Sequence, residues 1–338
     1  MVNTSNKFPE RIVDENILII KLRGGIASKF RKWLKGKSAG SSKMVEGGGR
    51  LLFYLVRVYP VVLYLLFQQK FFPQLIVCNV PLFFPWVKLL PWKKKYIIGS
   101  LYPMIQLAEK GLDAESFLSN PIEVVPETLN LPIHCPPMER VVFNSNLTAE
   151  IASRLSNLNY RKNVLYFNFV PEFEFGYVEF PSRKYEMAFI ASDFRRKVKN
   201  SFLAYTIFEK FYDKQKIVVG SNMEEFSSLM QTEIIPLISQ KSIIRILHQT
   251  KLLVITSFFD SSPSVMSEAI LSGCNVLVSK NVGWSELLPD ECVVQEYKNL
   301  NEWVLKAKWL IENPIEYPAI QSLSKSAENE ILNWVERS

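Results

Sequence analysis

The sequence predicts an α/β chain made of two doubly wound, parallel-sheet domains. Three observations predict it. Short apolar runs alternate with segments of helical period along the chain. At 338 residues, 48% hydrophobic and 22% charged, it can bury two cores of ordinary size. Between the halves, FNFVPEFEFGYVEFPSRK (167–184) carries two prolines and a glycine without clear period, which marks a linker. The predicted division is therefore a first domain at 1–166, a linker at 167–184 and a second domain at 185–338, the last helix packing back on the first domain.

In the first half, strands are expected at 16–21 (NILIIK), 74–79, 95–98 and 140–143 (RVVF). The first ends in Leu22-Arg23-Gly24-Gly25, and a helix follows. In that helix Ile26, Phe30, Trp33 and Leu34 fall at i, i+4, i+7 and i+8, while Lys29, Arg31, Lys32 and Lys35 face elsewhere. Two readings fit: a helix lying on an anionic membrane surface, or a core-facing helix with a solvated basic face. The apolar segment 51–67 is interrupted by Arg57 and Pro60 and reads as a buried helix. Segment 71–92 is broken by Pro73, Pro81, Pro85 and Pro91, each lacking a donor that lipid could not replace, so it reads as a buried strand and a loop.

The second half alternates more cleanly. Strands are expected at 185–191, 216–219, 233–237, 251–255, 275–279 and 291–294, with helices at 199–211, 242–249, 264–272 and 300–311.

Charge and composition set aside several chemistries. The net charge is +7, and 21–43 holds eight Lys/Arg and no acid. Basic clusters bind phosphate backbones, but no nucleic-acid motif accompanies this one, so no nucleic-acid partner is expected. Four cysteines (Cys78, Cys135, Cys274, Cys292) stand far apart, which fits a reducing compartment. The N-terminus has no apolar stretch behind a basic start, so no secretory leader is expected. A cytoplasmic protein with peripheral membrane contact follows. With His134 and His248 as the only histidines and no Asp-x-Asp spacing, no metal site is expected. A GxSxG elbow and a GxxxxGK phosphate loop are also lacking. His134, in a proline-rich loop, and His248, on an amphipathic helix, read as structural.

The stretch 260–288, in which Asp260 is followed by SSPSVMSEAILSGCNVLVSKNVGWSELL, places three acids, seven serines and two glycines between short apolar runs. Ser262 and Pro263 read as N-cap and first helical position, and Gly273 as the C′ residue that ends the helix. The loop lies beyond the carboxyl end of a strand, where open α/β sheets bind ligands. A helix N-terminus at Ser262 to Val265 offers free N–H groups to a phosphate. Glu268 lies one turn further, too far to cap yet placed to accept hydrogen bonds from hydroxyls. Asp260 precedes the helix and faces the same cleft. The run Arg195, Arg196, Lys197 and Lys199, between a strand and a helix, is a second place to hold phosphate. Trp284 reads as a packing residue in preference to a base-stacking one.

This stretch resembles retaining glycosyltransferases of the GT-B fold, the large group numbered family four, which carry an acid-x7-acid signature of the form EGFPNVLLEAMACGxPVVASDVGGxPEL. Without a gap, Asp260, Pro263, Val265, Glu268, Ala269, Gly273, Val276, Val278, Ser279, Gly283, Glu286 and Leu287 fall on the same or similar residues. MAFIASDFRRKVKNSFLAYTIFEKF (187–211) resembles the first strand, basic loop and helix of the donor domain. KIVVGSN (216–222) resembles its next strand, and VVFNSNLTAEI (141–151) the segment closing the acceptor domain.

The resemblance implies two Rossmann-like domains facing across a cleft and transfer of a sugar from a nucleotide-sugar, UDP- or GDP-linked, to a glycan, lipid-linked or protein-bound acceptor. No cofactor is implied, and the reaction would be metal-independent and retain the anomeric configuration. The alternative it leaves is an inactive GT-B-like scaffold that binds a glycan, a partner or a membrane. Asp260 and Glu268 would be the catalytic pair, Glu268 on ribose hydroxyls and Asp260 on the transferred sugar. Donor binding would fall to Arg195, Arg196, Lys197, Lys199, Gly220, Ser262, Pro263, Ser264 and Val265. Gly24, Gly25 and Ser100 would lie on the acceptor side. The chain departs from the family where Asp260 replaces a glutamate, Ser192 an arginine, Gly99 or Ser100 a histidine, and Val282 a glycine.

Overall fold

A computed structural model describes residues 2–3, 17–21, 75–78, 95–98, 104, 108, 111–119, 141–156, 159, 161, 163–166 and 178–323. Outside the described residues lie the expected basic helix at 26–35, the segments 51–67 and 79–92, and His134. Gly24, Gly25, Ser100, linker residues 167–177 and the chain beyond residue 323 lie outside them as well.

The first sheet contains β1 (Val2–Asn3), β2 (Ile17–Lys21), β3 (Leu75–Cys78), β4 (Lys95–Ile98) and β5 (Val141–Phe143). They lie in chain order and every pairing is parallel. Around it the described residues form helices α1 (Ala114–Ser119) and α2 (Asn146–Ser156). Asp113 opens α1, accepting from the Ser116 N–H at 2.8 Å. Ser145 opens α2, its Oγ accepting from the Thr148 N–H at 3.2 Å.

The second sheet contains β6 (Tyr185–Ala191), β7 (Lys216–Gly220), β8 (Thr232–Pro236), β9 (Thr250–Val254), β10 (Asn275–Ser279) and β11 (Val293–Val294). The order is β11-β10-β9-β6-β7-β8 and all pairs are parallel. Strand order reverses between β6 and β9, the arrangement of a doubly wound fold. Buried throughout, β7 and β10 show why continuous apolar runs mark strands covered on both faces. β8 forms the sheet edge and ends on Pro236, where a missing N–H is harmless.

Helices α3 (Ser201–Glu209), α4 (Gln240–His248), α5 (Ser264–Leu271) and α6 (Leu300–Glu312) accompany this sheet. Their starts have local causes. Asn200, left-handed at φ 46°, caps α3; Ser239 caps α4; Asn299 caps α6. The end of α5 is a Schellman motif. Gly273 has φ +71°, its N–H donates to Ile270 O at 3.0 Å, and the Cys274 N–H donates to Ala269 O at 2.9 Å. Phe226 sits in an aromatic core with its ring centroid 5.9 Å from Phe189 and 5.3 Å from Phe194. Gly220 lies beneath that core: a Cβ there would stand 2.0 Å from Ala191 O and 2.3 Å from the Phe194 ring.

Element boundaries differ from the sequence expectation by a residue or two at many ends, and three of the differences have local causes. Helix α4 begins at Gln240 because Ser239 supplies its cap, two residues ahead of the predicted start. Residues Asp290–Cys292 form a 3-10 turn, leaving β11 as Val293–Val294. Pro263, not Ser262, is the N-cap of α5: its ψ of 116° keeps it extended, and the helix starts at Ser264. Among the described residues, no helix is long and apolar enough to cross a membrane.

Candidate functional site

The carboxyl ends of β6 and β9 meet where strand order reverses. The loop after β6 turns through a 3-10 segment, Lys197–Lys199, and the loop after β9 leads into α5. Here Lys199 Nζ donates to Asp260 Oδ2 at 2.5 Å, both side chains largely buried. The pair is held from behind. Thr256 Oγ1 donates to the Lys199 and Asn200 carbonyls at 3.0 Å, Asn200 Nδ2 donates to the Tyr297 hydroxyl at 2.6 Å, and that hydroxyl donates to Thr256 O at 2.7 Å. Burial pushes the Tyr297 phenol well above its ordinary range, so it remains a donor. Asp260 is pinned through its backbone, its N–H donating to Asn281 O at 3.1 Å and its carbonyl accepting from Gly283 N–H at 2.7 Å.

The rest of the basic run points elsewhere. Arg195 is exposed and pairs with Asp193 at 3.0 Å, and its hydrogen bonds hold the Asp193 carboxyl down at about 2. Arg196 and Lys197 are exposed on the same loop. Gly220 ends β7, where its bare backbone makes room for Phe194. Ser262 Oγ accepts a hydrogen bond from Asn144 Nδ2 of the first domain, and Pro263 is buried. The N–H groups of Ser264 and Val265 precede the first bonded amide of α5, which is Met266 N–H to Pro263 O at 3.0 Å. Neither has an acceptor among the described residues, which leaves two donors at the positive end of a helix dipole.

Glu268 is 5% exposed, one turn into α5. Its Oε1 accepts from Gln240 Nε2 at 2.6 Å. Burial pushes its carboxyl above the ordinary carboxylate range, and the Gln240 bond opposes that shift. The folded protein therefore disfavours the ionised form relative to the unfolded chain. The resulting penalty is absent below the unfolded pKa, grows as pH rises through the interval up to the folded pKa, and is complete above it. Glu268→Gln is expected to raise the thermal midpoint at neutral pH, with a gain that disappears at acid pH. A midpoint difference independent of pH would contradict this account of the buried carboxylate.

The third acid of the motif has a different task. Glu286 Oε1 accepts from the Asn146 N–H at 3.0 Å and the Tyr166 hydroxyl at 2.9 Å, putting an anion on the N-terminus of α2 in the first domain. Trp284, 1% exposed, packs edge-on against Tyr166 with centroids 6.1 Å apart, and its Nε1 donates to Asn144 O. Further along the contact, the Ala114 N–H donates to Phe258 O at 3.0 Å and the Glu115 N–H to Asn281 Oδ1 at 2.7 Å. Asp260 and the end of β5 thus lie on facing sides of one interface. The sequence reading missed Gln240, Asn144, Asn200 and Tyr297. For Gln240 the signal was the capping Ser239 beside it.

Among the described residues, no group of three or more His, Cys, Asp or Glu could hold a metal ion. No family of protein sequences matches the chain, and no curated protein sequence does either. Among solved structures the chain is similar to a point variant of S. aureus TarM in complex with fondaparinux, α-GlcNAc-glycerol and UDP. The identity is 16% and the TM-score 0.50, over 78% of this chain and 55% of that one. This chain therefore spans little more than half of the TarM length. A second TarM structure matches at 15% identity and TM-score 0.42, over 66% of this chain and 45% of that one. The catalytic domain of Helicobacter pylori cholesterol-α-glucosyltransferase matches at 16% and 0.31, over 42% of this chain and 97% of that one. The fold is GT-B: two parallel α/β domains facing each other, the second of them doubly wound with six strands.

Proposed function

We propose that the chain is a retaining glycosyltransferase that moves a sugar from a nucleotide-sugar donor to a glycan or glycan-bearing acceptor. One observation carries the reading. The acid-x7-acid pair is mounted at the point where strand order reverses, with Asp260 ion-paired to Lys199 and Glu268 buried on the helix that follows. Glu268 accepts from the ribose hydroxyls, and Asp260 from hydroxyls of the transferred sugar. The diphosphate lies against the Ser264 and Val265 amides, where the α5 dipole and Lys199 meet the charge left on the departing nucleotide. Arg196 and Lys197, exposed on the same loop, lower the cost of bringing a second anion near Asp260. In this reading fixed protein charges take the place of a metal ion.

Thermal-shift screening with UDP, GDP and ADP identifies the nucleotide, since a ligand of the folded state raises its stability. UDP is the first to try, because the similar TarM structure contains it. Hydrogen bonds to a charged group contribute about 1.5–3 kcal/mol each, so Glu268→Ala should weaken nucleotide binding at least about tenfold in calorimetry. Unchanged affinity in a folded variant would remove the donor site from this helix. Release of nucleotide diphosphate from the sugar donor separates an enzyme from a scaffold that binds without turnover.

A further inference from the structure

We propose that Gln240 is a positioning residue of the donor site, orienting the Glu268 carboxylate so that its outer oxygen faces the ribose hydroxyls. The proposal rests on the donor reading of Glu268 and adds to it a residue from a different helix. Gln240 is the first residue of α4, and Ser239 just before it caps that helix by accepting from the Ser242 N–H. Its Cα is therefore fixed by the start of the helix, while its side chain reaches across to α5.

Three features argue for more than a passing contact. Gln240 is exposed as a residue, yet its amide is committed to a buried acid at 2.6 Å. Such a commitment gives up rotamer freedom that an exposed glutamine otherwise keeps. The donor is neutral. A lysine or arginine here would neutralise the carboxylate, whereas an amide fixes Oε1 and leaves a full negative charge to act on Oε2. Glu268 Oε2 has no partner among the described residues, so it is the oxygen left for a ligand.

No charged side chain among the described residues acts on the Glu268 carboxyl; burial and the Gln240 amide are the two influences on it. Removing the amide leaves burial unopposed. The carboxyl then takes up its proton at higher pH, and a protonated acid is a poorer acceptor for two hydroxyl donors.

The test follows the carboxyl and the ligand separately. In unliganded protein, 13C NMR titration of glutamate-labelled samples should show the Glu268 carboxyl titrating higher in Gln240→Leu than in wild type. Gln240→Glu, which keeps the size and adds a like charge, should raise it further. With UDP and GDP as probes in calorimetry, Gln240→Leu should bind about tenfold more weakly at pH values between the wild-type and variant titration points of the Glu268 carboxyl, with the deficit shrinking at higher pH. In a Glu268→Ala background the same substitution should change nothing more. An unmoved carboxyl titration, a deficit independent of pH, or an equal loss in the Glu268→Ala background would overturn the role of Gln240. If Glu268→Ala alone leaves UDP and GDP binding as in wild type, the donor reading itself falls. If only Gln240→Leu is silent, that reading stands and the positioning role does not.

Discussion

Gly283→Ala should lower the free energy of unfolding by about 3 kcal/mol, the upper end for a site forced to accept an extra carbon. A Cβ at this position would stand 1.9 Å from the Ser261 carbonyl oxygen and 2.5 Å from Ser145 Oγ. Neither atom is free to step aside. The Ser261 carbonyl belongs to the backbone directly after Asp260, whose own carbonyl accepts the Gly283 N–H at 2.7 Å. Ser145 Oγ is engaged with the Thr148 hydroxyl at 2.7 Å while it caps α2. A methyl group must therefore separate the loop carrying Asp260 from the first domain. Stability and nucleotide binding should fall together, read by urea denaturation and by calorimetry with UDP. A denaturation midpoint equal to that of wild type would show that the two backbones have room to part, and the close approach would lose its meaning for the site.

That glycine was legible in the sequence as part of a motif, but its reason was not. A resemblance places a glycine after Val282; only the fold shows that Ser145, from the other domain, occupies the space a side chain would need. The same division runs through the second domain. All six strands of its sheet were anticipated, four of them with ends shifted by a residue or two; the inner ones stand out because strands buried on both faces leave continuous apolar runs that little else produces. The basic run Arg195 to Lys199 was legible as charge beside a strand end. Which member turns inward was not, since that depends on Asp193 drawing Arg195 outward and on Asn200 adopting a left-handed φ of 46° just after Lys199. Glu286 stood in the sequence as one more acid of the cluster. Its partners, Asn146 and Tyr166, lie 140 and 120 residues away in chain order, beyond the reach of any local pattern.

Arg183 illustrates the limit most sharply, because the sequence placed it in the linker. The structure buries it to 8% exposure at the end of α5. Its Nη1 donates to Thr250 O at 2.9 Å and Gly273 O at 2.7 Å, and its Nη2 to Ser272 O at 3.2 Å. These bonds satisfy carbonyls that the helix terminus cannot satisfy itself and set a cation at the negative end of the α5 dipole. The helix that carries Glu268 is thereby fastened at its far end to the residue where β9 begins. Arg183→Met should cost about 3 kcal/mol or more, since each buried carbonyl left without a donor costs about 1–3 kcal/mol. Arg183→Lys should recover only part of it, because an ammonium group lacks the planar fork that spans three carbonyls. Guanidinium denaturation followed by circular dichroism measures both variants. The same change should loosen α5 and weaken UDP binding in calorimetry, although Arg183 lies at the opposite end of the helix from Ser264 and Val265. If Arg183→Met unfolds at the wild-type midpoint, water replaces the guanidinium without loss, and the anchoring of the donor helix must be sought in its apolar face, Met266, Ala269 and Ile270.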